Sequence, residues 1–337
     1  MEWGIEIKLE SAQQILFWAR KSLALVEHTN DALIKDSAPG HEVRSLPGMM
    51  VLPNTGKLTL PLSFCARKVI LRYYFLQNPS SMRIASLSPA ATEILFAIGA
   101  GKQIVCTDQF SNFPEEAKAI PHVRDMVKID PEEVRKFQPE AVFLGTSIQT
   151  KLAEALRAAN FSVIHDDPRS IADIYAWIRS IGTIVNRERE AGLLIASMQK
   201  GFSDLQKKAK MMNNARAKCR LYIEEWHEPP FTSGNWVPEI ARMAGGEQFP
   251  VPSGALSPEV TLDQVEKWNP DLIIISWCGA GAFASKELLL NRPGWDRLRA
   301  VQKGHVKVID DSLLNRPGPR LVEGAQRLYG WMFEMLH

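Results

Sequence analysis

The sequence predicts an α/β protein: two Rossmann-like lobes with mainly parallel sheets, joined by a single long backbone helix. Three observations lead there. From Met82 onward, short apolar strands alternate with amphipathic helices about every 10–15 residues, the rhythm of parallel strands joined by right-handed crossovers. The same alternation restarts near residue 214. Between the two runs, residues 186–213 (NREREAGLLIASMQKGFSDLQKKAKMMN) place Ala191, Leu194, Ile195, Met198, Phe202 and Leu205 at three- and four-residue steps, without proline, as one apolar helical stripe requires. About 25 residues at about 1.5 Å each make a rod of about 37 Å, long enough to run behind two lobes instead of packing inside one.

Lobe one is assigned to residues 82–185. RIASL is its first strand, and SPAATEILFAIGAG is a helix opened by Ser88, with Pro89 at its first position and Glu93 in its first turns. QIVCT is the second strand, followed by a turn rich in aromatics (DQFSNFPEEAKAIP) and a helix from Pro131 to Phe137. The strand AVFLG, a helix from about Gln149 to Ala159, the strand SVIHD and a helix from Ile171 to Val185 complete the lobe. Asn186 is placed to cap the start of the connecting helix, residues 186–213. Lobe two, residues 214–337, reads as the strand CRLYIEEW, the helices NWVPEIARMAGG and TLDQVEKW, the buried strand DLIIISW, the helix ASKELLL, the strand HVKVID and a terminal amphipathic helix.

Residues 1–81 are different. Glu10–Val26 carries a helical stripe, but the proline- and glycine-rich stretch after it has no period, so this is an N-terminal extension of unknown fold. It is either an appended module or upstream sequence joined by a misplaced start codon, since Met82 is a natural beginning for the first strand.

Bulk properties narrow the function. Of 337 residues, 45% are apolar and 23% charged, ordinary for a globular protein, and 40 basic against 38 acidic residues leave a net charge of +2. A nucleic-acid partner is therefore not expected. Cys65, Cys106, Cys219 and Cys278 form no CxxC pair, so neither a zinc knuckle nor a disulfide scaffold is indicated. The first 22 residues lack the unbroken apolar run of a secretory signal, and Arg67, Lys68 and Arg72 interrupt the apolar stretch Leu58–Leu76. A cytoplasmic compartment is expected on this ground, with a periplasmic or cell-surface one as the alternative if the start is misplaced.

Phosphate loops are absent: Gly99-Ala100-Gly101 ends a helix, and Gly279-Ala280-Gly281 lacks the third glycine and the acid of a dinucleotide fingerprint. The most informative stretch is EEWHEPPFTSGNWVPEIARMAGG, which sets Trp226, His227, Phe231 and Trp236 at the carboxyl end of a strand, where α/β ligand sites form. Pro229 and Pro230 stiffen this loop, and Gly234 is expected to let backbone approach a ligand. Flat rings on a stiff loop suit a large flat ligand. The opposite wall is expected from Phe110 and Phe113 after the second strand, with Ser88 and with Thr146 and Ser147 at neighbouring strand ends and Trp277 ending the buried strand. Arg316 and Arg320, in the turn NRPGPR, either reach polar groups of a ligand or pair with acids. His165-Asp166-Asp167 has no second histidine at ligand spacing and reads as a turn, while His227 is either an axial ligand to a metal macrocycle or a hydrogen-bonded loop residue. Ser88, Ser233 and Ser253 lack a nucleophile elbow, so enzyme chemistry is not expected.

On these residues, Met82 to the C-terminus resembles the substrate-binding proteins of cobalamin and iron-siderophore ABC importers, the class III periplasmic-binding-protein-like architecture, and more narrowly the cobalamin branch. The matching stretches are SLSPAATEILFAIGAG, FSNFPEEA, QPEAVFLG, EEWHEPPFTSGNWVPEIARMAGGE, NPDLIII, RPGW and NRPGPRL, across about three quarters of the chain. The resemblance implies a non-catalytic monomer that holds a corrinoid between its lobes. By position, the contacts fall at Phe110, the Trp226–Phe231 loop and Arg316. Cobalamin or a related corrinoid is then the ligand, with no covalently bound cofactor and no protein-held metal. It also implies an ABC permease met through an exposed acid on each lobe. Lobe two offers Glu287, but Gln149-Thr150-Lys151 stands at the matching place in lobe one. The alternatives are a ferric siderophore or haem as ligand, a cytoplasmic corrinoid-handling enzyme or chaperone, and a regulatory protein whose residues 1–81 contact a partner.

Overall fold

The computed structural model describes residues 50–51, 57–58, 82–212 and 218–336. The chain divides into two units, Met1–Asn78 and Pro79–His337. In the first, strands β1 (Met50–Val51) and β2 (Lys57–Leu58) pair antiparallel, Met50 opposite Leu58. The helix expected over Glu10–Val26 and the apolar run beyond Leu58 lie outside the described residues.

The second unit holds two sheets. The first is wholly parallel, in the order β5-β4-β3-β6-β7, from β3 (Ile84–Ser86), β4 (Ile104–Asp108), β5 (His122–Val123), β6 (Ala141–Gly145) and β7 (Val163–Asp166). Helices α1 (Pro89–Ala97), α2 (Pro131–Arg135), α3 (Thr150–Ala158) and α4 (Ile171–Ile184) follow successive strands and cover its faces. Ala85, Leu87, Cys106, Val142, Leu144 and Leu156 form the core of one face, and β6, buried at all five residues, reads as an unbroken apolar run because both faces are covered. The second sheet has parallel neighbours β10-β8-β11-β12, from β8 (Cys219–His227), β10 (Gly246–Gln248), β11 (Leu272–Ile275) and β12 (Val306–Val308). Tyr222, Val265, Ile273, Ile275, Leu289 and Trp295 pack its core. This is the two-lobe α/β architecture the sequence predicts.

Helix α5 (Glu188–Met212) connects the sheets and buries Ala191, Ile195, Met198, Phe202, Leu205 and Ala209 along one stripe. Its start differs from expectation. Asn186 does not cap it: with φ of 55° this residue closes α4 instead, and the Arg187 amide donates to Gly182 O at 2.7 Å, the long bond of a Schellman stop. Asparagine tolerates this left-handed backbone at little cost, so the residue that looks like a start signal is a stop signal. The same logic holds at Gly99, where φ is 76° and the Ala100 amide reaches Leu95 O at 2.8 Å, as the C-cap reading requires.

Three more helices, α6 (Val237–Met243), α7 (Leu262–Trp268) and α8 (Lys286–Leu290), surround the second sheet, with α9 (Arg299–Gln302) leading into β12. The last helix, α10 (Leu321–Leu336), returns to pack on both α5 and α6. Leu321, Ala325, Leu328 and Met332 are fully buried on that face. Val322 sits so close over Gly201 of α5 that a methyl group there would meet it at 2.6 Å.

Candidate functional site

The carboxyl ends of the two sheets face one another, and buried side chains tie them together. Glu93, on α1, is 1% exposed. An isolated carboxylate at such a position is disfavoured by several kcal/mol, so it demands cations. Both come from the far lobe, out of the turn after β12. Arg320 donates Nε to Glu93 Oε2 at 2.9 Å and Nη2 to Oε1 at 2.6 Å, a bidentate pair. Arg316 donates Nη1 to Glu93 Oε1 and to Asn112 Oδ1, both at 2.9 Å, and Nη2 to the Phe110 carbonyl at 3.2 Å. Asn315 anchors the turn itself, donating Nδ2 to Ser276 O at 2.7 Å. A second tie joins Arg169, paired with Asp167 at 2.5 Å, to Asn235 Oδ1 at 3.1 Å. The acid read as a helix-start residue is therefore the hub of the junction, and Arg316 and Arg320 take the acid-pairing alternative.

Beside the hub stand the aromatic walls. In lobe one the loop after β4 is set by buried Asp108, which accepts the Phe110 amide at 2.7 Å and the Ser111 hydroxyl at 2.6 Å. The line of hydroxyls runs on through Thr92 to Ser86 at 2.9 and 2.8 Å. Phe110 and Phe113 are left 40% and 42% exposed, and the Arg320 guanidinium covers one face of Phe113, 4.1 Å from its centroid.

In lobe two, Trp226 is 43% exposed, its indole N–H held by Glu228 O at 3.0 Å. The ring of His227 lies 5.3 Å from that of Trp226 and 4.7 Å from that of Trp277. Nδ1 of His227 is buried with no partner among the described residues. A ring set between two indoles at tilts of 46° and 35° favours a packing role for His227 over axial ligation.

Not every aromatic singled out by the sequence reaches the surface. Trp277 is 4% exposed and donates Nε1 to Glu224 Oε1 at 2.9 Å; fully buried Glu224 also binds the Tyr222 hydroxyl at 2.8 Å and both guanidinium nitrogens of Arg292 at 2.8 and 2.9 Å. Trp236 is also 4% exposed and donates to Leu314 O at 2.7 Å. Both rings are core, behind the wall instead of on it. Ser88 is buried, and Phe231 is half-buried on β9 (Pro230–Thr232). This strand pairs antiparallel with β8, so the expected stiff loop is a hairpin. Gly234 admits backbone, but that of residues 255–257 and not a ligand, since a methyl group there would stand 2.5 Å from Ala255 O. His165 hydrogen-bonds Thr146 O at 2.8 Å. Thr146 itself holds φ 69° and ψ 155°, a strained conformation for a β-branched residue, at the end of β6. Ser147 is exposed; Gln149 is buried, donating to Leu87 O and Met126 O at 2.6 and 2.7 Å. Glu287 is exposed on α8.

Three further acids, buried Asp108 and Asp311 and half-buried Glu225, line this end of the fold without an ion-pair partner among the described residues. Burial pushes the carboxyls of Asp108, Glu225 and Asp311 above their usual range, against the hydrogen bonds each accepts. Glu225 takes the Ser257 hydroxyl at 2.6 Å, and Asp311 the amides of Gly279 and Gly281 at 3.0 and 2.8 Å. A cavity of about 560 Å³ lies instead at the amino end of the lobe-two sheet, lined by Cys219, Arg220, Asp271 and His305 among others. Ligand sites of open α/β sheets form at the carboxyl ends, which is where the aromatic walls stand.

Residues 84–313 match the family described as periplasmic binding protein. The chain belongs to that family. An uncharacterized ABC transporter substrate-binding lipoprotein, YvrC of Bacillus subtilis, is 31% identical over 73% of this chain and 78% of its own length. A vitamin B12-binding protein of Pectobacterium atrosepticum is 26% identical over 75% of this chain and 89% of its own. Among solved structures, the periplasmic heme-binding protein RhuT from Roseiflexus sp. RS-1 superposes with a TM-score of 0.66 at 22% identity, covering 76% of this chain and all of that one. The resemblance read from the sequence is borne out, and this member of the periplasmic binding protein family is a non-catalytic solute-binding protein. One expectation is overturned. The cytoplasmic compartment rested on a charge-interrupted N-terminus alone, and membership of the periplasmic binding protein family, with a lipoprotein among its relatives, points to an extracytoplasmic one instead.

Proposed function

We propose that this solute-binding protein serves an ABC importer and carries a corrinoid, cobalamin or a close relative, between its lobes. The observation behind this reading is the pairing of exposed flat rings with arginines already engaged. Phe110 and Trp226 offer apolar faces at the junction, while Arg316 and Arg320 are held by Glu93, Arg169 by Asp167 and Arg292 by Glu224. A large macrocycle gains apolar contact there. Its rim of amides asks for no cation, whereas the carboxylates of haem or the anionic groups of a ferric siderophore meet arginines already paired with Glu93, Asp167 and Glu224. The B12-binding relatives support the same choice. Delivery would be to a permease, with Glu287 on the lobe-two rim as the contact.

The test is a titration of the full chain with cyanocobalamin, following tryptophan quenching and the corrinoid spectrum. Saturable one-to-one binding is expected. No binding up to about 100 μM, weaker than about −5.5 kcal/mol, overturns the reading.

A further inference from the structure

We infer that Glu93 is the specificity-determining residue of this site, acting by withholding Arg316 and Arg320 from anionic ligands. The inference rests on the reading of the junction as a ligand site. Arg316 and Arg320 are each 15% exposed at the rim beside Phe110 and Phe113, and are therefore well placed to meet a ligand. A guanidinium fork in that position is a ready receptor for a carboxylate. Glu93 is that carboxylate already, supplied by the protein from the opposite lobe, and it takes hydrogen bonds from both side chains. The lock is reinforced on each side: Asn112 and the Phe110 carbonyl take further donors of Arg316, and the Arg320 guanidinium stands 4.1 Å from the Phe113 ring centroid. For a porphyrin propionate or a catecholate edge to recruit either arginine, it must compete with a buried carboxylate for that cation and leave the carboxylate with one cation fewer. An amide-edged macrocycle asks for no such exchange.

Charge selection at this site is therefore set by a buried residue at the junction that need not touch the ligand. Glu93 is a positioning residue: its removal is expected to convert a site that rejects anionic macrocycles into one that accepts them.

The experiment compares wild type, Glu93→Gln and the double variant Glu93→Gln/Arg316→Met, each as the full chain, titrated with haemin and with cyanocobalamin. Haemin affinity is expected to rise on the order of ten- to hundredfold in Glu93→Gln, the worth of a hydrogen bond to a charged group, and to fall back in the double variant. A rise of less than threefold in Glu93→Gln, or one that survives loss of Arg316, overturns the inference. A measurement on wild type alone stands if Glu93→Gln does not fold. Haemin and its neutral dimethyl ester are expected to bind within a few-fold of each other, whereas a tenfold preference for the diacid means that the arginines already read propionates and refutes the masking. Wild type that fails to bind cyanocobalamin removes the corrinoid assignment, while the haemin comparison still decides the role of Glu93.

Discussion

Replacing Trp226 with alanine isolates the contribution of the lobe-two wall. An indole ring buries up to about 250 Å² when fully covered. Trp226 is 43% exposed, which leaves about 100 Å² for a bound macrocycle to cover. At about 25 cal/mol per Å², that area is worth about 2.5 kcal/mol, or about a 60-fold loss of affinity in Trp226→Ala. Stability should change far less, because the covered part of the ring packs on a hairpin end and its one hydrogen bond goes to Glu228 O. The assay is a cyanocobalamin titration of wild type and variant, with thermal melts of both unliganded proteins as the control for folding. Wild-type binding that is retained within threefold in a well-folded variant would refute the stacking argument, whatever the ligand's other contacts.

Other consequences concern stability. Glu224→Gln leaves Arg292 buried against a neutral partner, and a loss of about 3–5 kcal/mol is expected in urea denaturation; a loss below about 1 kcal/mol would mean that the pair adds little. Thr146→Gly should stabilise the protein by about 0.5–2 kcal/mol, since relief of backbone strain outweighs the entropy glycine adds to the unfolded chain, and destabilisation would show that the strain is not real. For Asp108, Glu225 and Asp311 the folded carboxyls titrate above their unfolded values, so their contribution is fully present below the unfolded value and is lost as pH rises through the folded one. Melting temperature should accordingly rise as pH is lowered through the raised folded values of these carboxyls, whereas exposed acids such as Asp173, held low by hydrogen bonds, act in the opposite sense at still lower pH. Glu225→Gln should flatten that rise, and parallel curves for variant and wild type would contradict the assignment.

The strands and helices of both lobes were legible because their periods are local. DLIIISW is apolar throughout because β11 is covered on both faces, and the stripe along α5 follows from its own spacing. The short edge strands β5, β9 and β10 left no such trace, being two or three residues long. What the sequence could not reveal was partnership across the lobes. Glu93 looks like an ordinary acid near a helix start, and only its neighbours Ile94 and Leu95, both buried, hint that it faces inward and needs a cation. Trp226 and Trp236 look equally suited to a binding wall, yet one is exposed at the end of β8 and the other donates into the core, a difference fixed by Leu314 far along the chain. Asn186 misled for a related reason: the same residue type starts one helix and stops another, and only the backbone angle distinguishes them.

The seating of Val322 over Gly201 ties the end of the chain to its middle. The first half of α5 can dock on α4 as soon as lobe one exists, for Gly182 already lies against Ala191. The rod's contacts with α6 and α10 come only when those later helices have been made. As the chain is synthesised, the rod between the lobes is therefore secured at one end early and completed only when the last helix arrives. The C-terminal helix thus acts as a keystone: a chain cut short before Leu321 would keep α6 against the connecting helix but lose the contact that closes over Gly201.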